Sequence, residues 1–124
     1  MIDVGEFGEG LYWFFKKESS VVLGLTHKAL QELGEVISVD YVCGEGLAVP
    51  DEVIFRVEGV SGEIEFSTPF DCDVFEVNQE LRVDPEVLSE DPLESGWLVK
   101  FNVKSEEAFE AFIEEQAQEQ QKIG

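Results

Sequence analysis

Residues 52–78 read EVIFRVEGVSGEIEFSTPFDCDVFEVN, and apolar and polar side chains alternate on both sides of the central glycines. Alternation with a period of two, carried by β-branched and aromatic residues, is typical of half-buried strands. Gly59 and Gly62 frame the two residues between these runs, and glycine adopts a positive φ at little cost, so the chain can reverse there. The stretch therefore predicts a β-hairpin with Val60 and Ser61 at an exposed tip.

Prolines mark two places where the chain changes direction after the hairpin. Pro69 cannot donate a hydrogen bond to a sheet, so it predicts a corner, and a further strand follows at residues 74–77. Pro85 is well placed to open a short helix at residues 86–88. The same patterns of apolar and alternating residues predict the remaining strands at residues 11–16, 21–25, 36–42, 47–49 and 97–103.

Helix-capping residues predict two more helices. Thr26 suits an N-cap and Gly34 a left-handed C-cap, which places a short helix at residues 27–33. Ser105 suits the N-cap of a last helix, which carries the apolar stripe Phe109, Phe112 and Ile113.

The two ends of the chain and the aromatic run at residues 12–15 are less regular in composition. Residues 1–10 contain three glycines and three acids, which predicts an irregular arm, and residues 116–124 are almost wholly polar, which predicts a frayed tail. Four consecutive aromatic residues at 12–15 allow two interpretations: a docking patch or the packed floor of a small barrel.

Composition limits the class of protein. A chain of 124 residues with 44% hydrophobic residues suits one domain over 1–124. The sequence has no run of about 20 apolar residues and no secretory signal, so we expect a cytoplasmic monomer that does not bind membranes. With 28 acids against 8 bases, the formal charge is −20, which disfavours nucleic acid and anionic lipid as partners. The charge favours basic protein surfaces as partners. The alternative is that the acidic side chains only form a solvated surface.

No enzyme motif stands out. The sequence has no glycine-rich phosphate loop and no G-x-S-x-G elbow, and so many acids make any carboxylate spacing uninformative. His27 is the only histidine, so we expect a surface residue and no metal site. Cys43 and Cys72 are expected to be reduced, with Cys72 half-buried in a strand, although a disulfide stays open as an alternative.

The order of these segments resembles the H protein of the glycine cleavage system, a lipoyl-carrier family. The resemblance extends along most of the chain in weak motifs at close to family spacing. The matching residues are Trp13, Gly24, Leu25, Thr26, Ala29, Leu33, Gly34, Glu35, Val39, Asp40, Glu58, Val60, Pro69, Val77, Asn78, Pro92, Gly96 and Trp97.

The resemblance implies a fold and a site. The fold is mainly β, a flattened β-barrel or hybrid-motif sandwich of the lipoyl-carrier type, with a short helix after the second strand and a C-terminal helix. The site is the hairpin tip, where the family's lipoyl-lysine would follow Glu58, Gly59 and Val60 and precede Gly62. That position is Ser61 here, and no lysine lies between Lys28 and Lys100.

A serine hydroxyl cannot form the amide that joins lipoate to an ε-amine, so we expect no cofactor at Ser61. Other departures from the family pattern are Leu11, Cys72, Ser89 and Leu93. The first hypothesis is a non-lipoylated H-like protein that docks on or regulates lipoate-linked enzymes. Its partners would be aminomethyltransferase-like, glycine decarboxylase-like or lipoate-ligase-like proteins.

The alternative hypothesis is a covalent lipoyl or aminomethyl carrier that is modified at another residue. Lys100 and Lys104 are the candidates, although they lie in or beside a predicted strand and not at a tight turn. Esterification of Ser61 is a further alternative, but the serine does not open a helix as the serines of acyl-carrier proteins do. Neither hypothesis gives the chain an active site of its own.

Overall fold

The structure, a computed structural model, describes residues 4–42 and 45–121, with the backbone alone for 116–121. Nine strands and four helices lie within these ranges. They are β1 (Val4–Phe7), β2 (Tyr12–Lys17), β3 (Ser20–Leu25), α1 (His27–Leu33), β4 (Val36–Tyr41), β5 (Gly46–Ala48), β6 (Val53–Gly59), β7 (Gly62–Ser67), β8 (Cys72–Val77), α2 (Glu80–Val83), α3 (Glu86–Glu90), β9 (Val99–Val103) and α4 (Glu106–Gln121).

The predicted hairpin is confirmed and forms the smaller of two sheets. β6 and β7 pair antiparallel, with Val57 opposite Ile64 and Gly59 opposite Gly62, and β4 pairs with the other side of β6. A register shift near the start of β6 breaks the strict alternation there, and Ile54 is buried although the pattern assigned it to the opposite side from Phe55. A β-bulge of this kind bends the strand and rotates side chains away from the regular pleat.

The larger sheet has six strands in the order β1-β2-β3-β9-β8-β5. Its first strand corrects the sequence analysis, because residues 4–7 are not part of an irregular arm but pair with β2, with Val4 opposite Phe15. The glycine content of residues 1–10 hid this strand, which depends on a partner strand and not on local propensity. The brief pairing expected at residues 47–49 is confirmed as β5, which pairs with β8.

The core lies between the two sheets and is rich in aromatic residues. Phe55 stacks on Phe66 with a ring-centroid distance of 5.5 Å, and Phe14 meets Phe109 of α4 edge to face at 5.3 Å. Residues 12–15 alternate as a strand requires, so Tyr12 and Phe14 are buried while Phe15 is 48% exposed. Of the two interpretations of this run, packing into the core is confirmed for Tyr12 and Phe14, whereas Phe15 stays exposed.

The capped helices form where the sequence predicts them. Thr26 Oγ1 accepts from the backbone N–H of Ala29, and Gly34 ends α1 with φ 72°, although its ψ of −145° lies outside the left-handed helical region. Ser105 Oγ accepts from the N–H of Ala108 at the start of α4. α4 runs on to Gln121, so the fraying expected from residue 116 is not seen up to that point. α2 was not predicted, because its four residues are too few for a periodic signal.

The mainly β class with a short helix after a strand and a C-terminal helix is confirmed, and the predicted barrel is not closed. Over residues 4–42 and 45–121 the strands form two separate sheets. No helix in these ranges is both long enough and apolar enough to span a membrane.

Candidate functional site at the hairpin tip

The hairpin tip is exposed on one side and attached to α1 on the other. Val60 is 61% exposed, and Ser61 is exposed as well. The backbone N–H of Val60 donates to the carbonyl oxygen of Glu35 at 2.9 Å, and that of Ser61 donates to the carbonyl oxygen of Leu33 at 2.9 Å. Two backbone hydrogen bonds therefore hold both tip residues against the end of α1, while position 61 stays exposed.

Glycines make this close approach feasible. A β-carbon at position 59 would overlap the backbone carbonyl of Leu33. A β-carbon at position 34 would lie 2.9 Å from Ser61 Oγ, and Gly34 also has a positive φ. The hairpin tip and the end of α1 can therefore meet only because both lack side chains at the point of contact.

The chemistry available at the tip is that of a hydroxyl group among carboxylates. Glu58 and Glu63 face each other across the hairpin next to the tip, and both are exposed. Further along, Arg56 is the only base of the hairpin and is paired with Glu65 at 2.7 Å, an interaction that raises the pKa of the guanidinium. The residues present do not fit a lipoyl group, because Ser61 supplies no amine to form the amide.

The lysines proposed as alternative attachment sites lie elsewhere. Lys100 is in the middle of β9, where Nζ lies 3.4 Å from Glu76 Oε1 and 4.4 Å from the centre of the Trp97 ring. Lys104 is exposed just after β9. Lys28, which was not one of these candidates, is exposed on α1, and its ammonium donates to the carbonyl oxygen of Glu9 at 2.6 Å. None of the three is at a tight hairpin turn.

Several residues that carried the family resemblance form a second, structural cluster. Trp13 covers Gly24 on the neighbouring strand, and Trp13 Nε1 donates to the carbonyl oxygen of Pro92 at 3.0 Å. Asn78 Nδ2 donates to the carbonyl oxygens of Ser95 and Trp97 at 2.9 and 2.8 Å. These contacts attach the segment after β8 to the larger sheet. Trp13 and Asn78 therefore have a structural role, and no binding role is needed to explain them.

The structure thus places the five predicted tip residues together. The alternative attachment residues, Lys100 and Lys104, lie in and just after β9, away from the tip. Glu58, Gly59, Val60, Ser61 and Gly62 form the ends and turn of the hairpin. His27 is exposed on α1, as expected.

The remaining predictions concern cysteines and metals. Cys72 is fully buried and not half-buried, because β8 lies between β9 and β5. Cys43 lies outside the described residues, so the redox state of the cysteines stays a prediction. Within the part of the chain that the structure describes, no three His, Cys, Asp or Glu side chains are grouped to hold a metal ion.

Sequence reasoning missed an open cleft beside the tip. It lies between α1 and α3, and Leu30, Gly34, Glu35 and Val36 contribute to its lining. Gly34, which the sequence predicted only as a C-cap, lines this cleft and lies beside Ser61. The cleft itself needs α3, which is distant in sequence, so no local pattern could reveal it.

Comparison with known proteins gives a consistent family. The family profile described as "Glycine cleavage H-protein" matches residues 6–123. The glycine cleavage system H protein of Thermotoga maritima is 30% identical over 105 residues, which cover 85% of each chain. The protein of the same name from Bacillus cereus is 31% identical over 107 residues, or 86% of this chain and 84% of the relative.

A solved structure agrees in fold. The glycine cleavage system H protein of Mycobacterium marinum superposes with a TM-score of 0.72 at 21% sequence identity, and the match covers 83% of this chain and 85% of that one. The profile match and the two bacterial relatives, together with the exposed hairpin and its support by α1, lead to one conclusion: the chain belongs to the glycine cleavage H-protein family.

Proposed function

We propose that this protein is a non-lipoylated member of its family, which acts by docking on or regulating enzymes that handle lipoate. The single observation that carries the proposal is Ser61, an exposed serine at the hairpin position where the family resemblance places the lipoyl-lysine. Members of the family are carriers without catalytic activity of their own, so loss of attachment leaves recognition as the remaining role.

The retained parts of the site support recognition. The hairpin, its tip and the two backbone hydrogen bonds to α1 are all formed, although there is no amine to modify. An enzyme that recognises a carrier by the shape of its hairpin would therefore still recognise this protein.

The partners proposed are proteins of three kinds: aminomethyltransferase-like, glycine decarboxylase-like and lipoate-ligase-like enzymes. The contact surface would include the tip and its flanking carboxylates Glu58 and Glu63. A formal charge of −20 would steer the protein towards basic clefts and would make binding sensitive to salt. The cytoplasmic location expected from the sequence is part of the same proposal.

The first test is the intact mass of the protein purified from its own organism. An unmodified mass, together with binding to one of the three enzyme classes in a calorimetric titration, would support the docking role. An added mass equal to a lipoyl group would overturn it. Peptide mapping would then decide whether Lys100, Lys104 or Ser61 carries the group, which is the alternative of a covalent carrier.

A further inference from the structure

The cleft between α1 and α3 combines an apolar floor with an acidic rim. Its volume is about 510 Å³. Val36 is 7% exposed and Leu30 packs against the core, so the floor is apolar and belongs to the folded interior. The rim carries the carboxylates of Glu35, Glu86 and Glu90, all of them exposed.

Within the described ranges, the carboxylates of the cleft are paired with no cation. Among the residues that the structure describes, Glu35, Glu86 and Glu90 take part in no ion pair and no side-chain hydrogen bond. The lining contains neither lysine nor arginine, and its one basic side chain, His27, is in no ion pair among the described residues. The neighbouring bases along the chain, Lys28 and Arg82, donate to the carbonyl oxygen of Glu9 and to Gln79 Oε1, and neither is one of the lining residues.

The cleft is continuous with the hairpin tip. Gly34 lines the cleft and also lies against Ser61, and Glu35 lines the cleft while its carbonyl oxygen accepts from the N–H of Val60. Any chain that occupies the cleft therefore lies beside the residue where the family resemblance places the attachment site.

From this arrangement we infer that the cleft receives an arginine or lysine side chain from a basic segment of a protein partner that docks at the tip. Long basic side chains bury their methylene stems on apolar surface while the charged head stays at a polar rim, which matches a floor of Leu30 and Val36 below three carboxylates. The inference rests on the proposed docking function and names the chemistry of the partner at that site.

Other occupants fit less well. The carboxylates are not grouped closely enough to hold a metal ion within the described ranges. A second copy of this chain brings the same charge of −20, so the two acidic surfaces would repel each other. A basic polypeptide satisfies both the charge and the apolar floor.

The test is an NMR titration of the ¹⁵N-labelled, unmodified full chain with the peptide acetyl-Ala-Arg-Ala-amide. The expected result is saturable shifts of the amides of Gln31, Gly34, Val36 and Ser89. The same peptide with neutral citrulline in place of arginine should leave these amides unchanged. Its shape is nearly the same, so the difference reports the charge.

Two double variants with equal net charge separate the site from general attraction. Glu86→Gln with Glu90→Gln removes two carboxylates of the cleft, and Glu114→Gln with Glu115→Gln removes two exposed carboxylates of α4. We expect the first to weaken peptide binding by about fivefold and the second to leave it nearly unchanged. All four side chains are exposed on helices, so we expect both double variants to fold normally.

Three outcomes would overturn the inference: cleft amides that do not move, amides that move equally with citrulline, or equal weakening in both double variants. The result is independent of the proposed function, because the titration uses recombinant, unmodified protein. If the cleft binds arginine while the native protein proves to be lipoylated, the cleft belongs to a carrier and the docking role alone fails.

Discussion

The backbone of Gly59 lies so close to the carbonyl group of Leu33 that a β-carbon at position 59 would overlap it. This contact holds the hairpin tip against the end of α1. It connects two segments that are adjacent in neither sequence nor sheet, and it sets the position in which Ser61 is presented.

Gly59→Ala should therefore destabilise the protein, because either the hairpin or α1 has to move. We expect a loss of about 1–3 kcal/mol in the free energy of unfolding, measured by urea denaturation. Gly62→Ala is the matched control from the same turn, since the nearest atom to its new β-carbon would be the carbonyl oxygen of Glu32 at 3.9 Å. Equal losses in the two variants would contradict the role given to the Gly59 contact.

Replacing Ser61 by lysine should restore lipoylation if an attaching enzyme reads the tip geometry. The tip keeps its two backbone hydrogen bonds to α1, so a lysine there would be presented on a fixed, exposed turn. The measurement is intact mass after incubation of Ser61→Lys with lipoate ligase, ATP and lipoate. Ser67→Lys, at the exposed far end of β7, is the control and should stay unmodified.

If Ser61→Lys also stays unmodified, recognition has been lost together with the lysine. Position 62 would then be the first flank to vary, because a side chain at position 59 would overlap the carbonyl group of Leu33. The docking proposal would narrow to partners other than lipoate-attaching enzymes.

The buried ammonium of Lys16 should stabilise the attachment of α4. Lys16 is 2% exposed, and its Nζ lies 2.9 Å from Glu106 Oε1 in the first turn of that helix. Glu106→Gln leaves a buried cation without its counter-charge, so we expect it to cost about 1 kcal/mol more than Glu107→Gln in thermal or urea unfolding. Both substitutions remove one acid from the same helix N-terminus, so the difference isolates the ion pair.

The double variant Lys16→Met with Glu106→Gln should recover part of the loss, because it removes the buried charge together with its partner. A double variant that is less stable than Glu106→Gln alone would show that the lysine stabilises the fold through other contacts.

Alkaline pH should destabilise the protein through its two tyrosines, of which Tyr12 is buried and Tyr41 partly buried. Burial, with a smaller contribution from the nearby charge of Glu65, raises the pKa of Tyr12 from 10.0 to about 12, and burial also raises the pKa of Tyr41. The unfolded chain releases these protons near pH 10 while the folded chain still holds them. Stability is therefore fully present below about pH 10 and falls as the pH rises towards 12.

Urea midpoints measured between pH 9 and pH 12 check this prediction, with Tyr12→Phe as the variant. Tyr12→Phe loses the hydrogen bond from the hydroxyl to the carbonyl oxygen of Glu65, so it should be less stable at pH 9. Its midpoint should fall less steeply above pH 10. An identical slope in the variant would assign the alkaline loss to charge repulsion in general.

Local signals predicted the local parts of the fold. The alternation in residues 52–78 was sufficient to predict the hairpin, although the register shift near the start of β6 buries Ile54 against the pattern. Thr26 and Ser105 were sufficient for the starts of α1 and α4, because an N-cap bonds backbone groups only two or three residues away. β1 was missed because its four residues are stabilised mainly by pairing with β2.

The sequence by itself determined what stands at position 61, and with it that the family's attachment chemistry has no amine to act on. It also determined the formal charge of −20. Only the tertiary structure decided that Gly59 meets Leu33, that Ser61 meets Gly34, and that α3 closes a cleft beside them. These contacts join segments far apart along the chain, and such proximity depends on packing that no local residue pattern encodes.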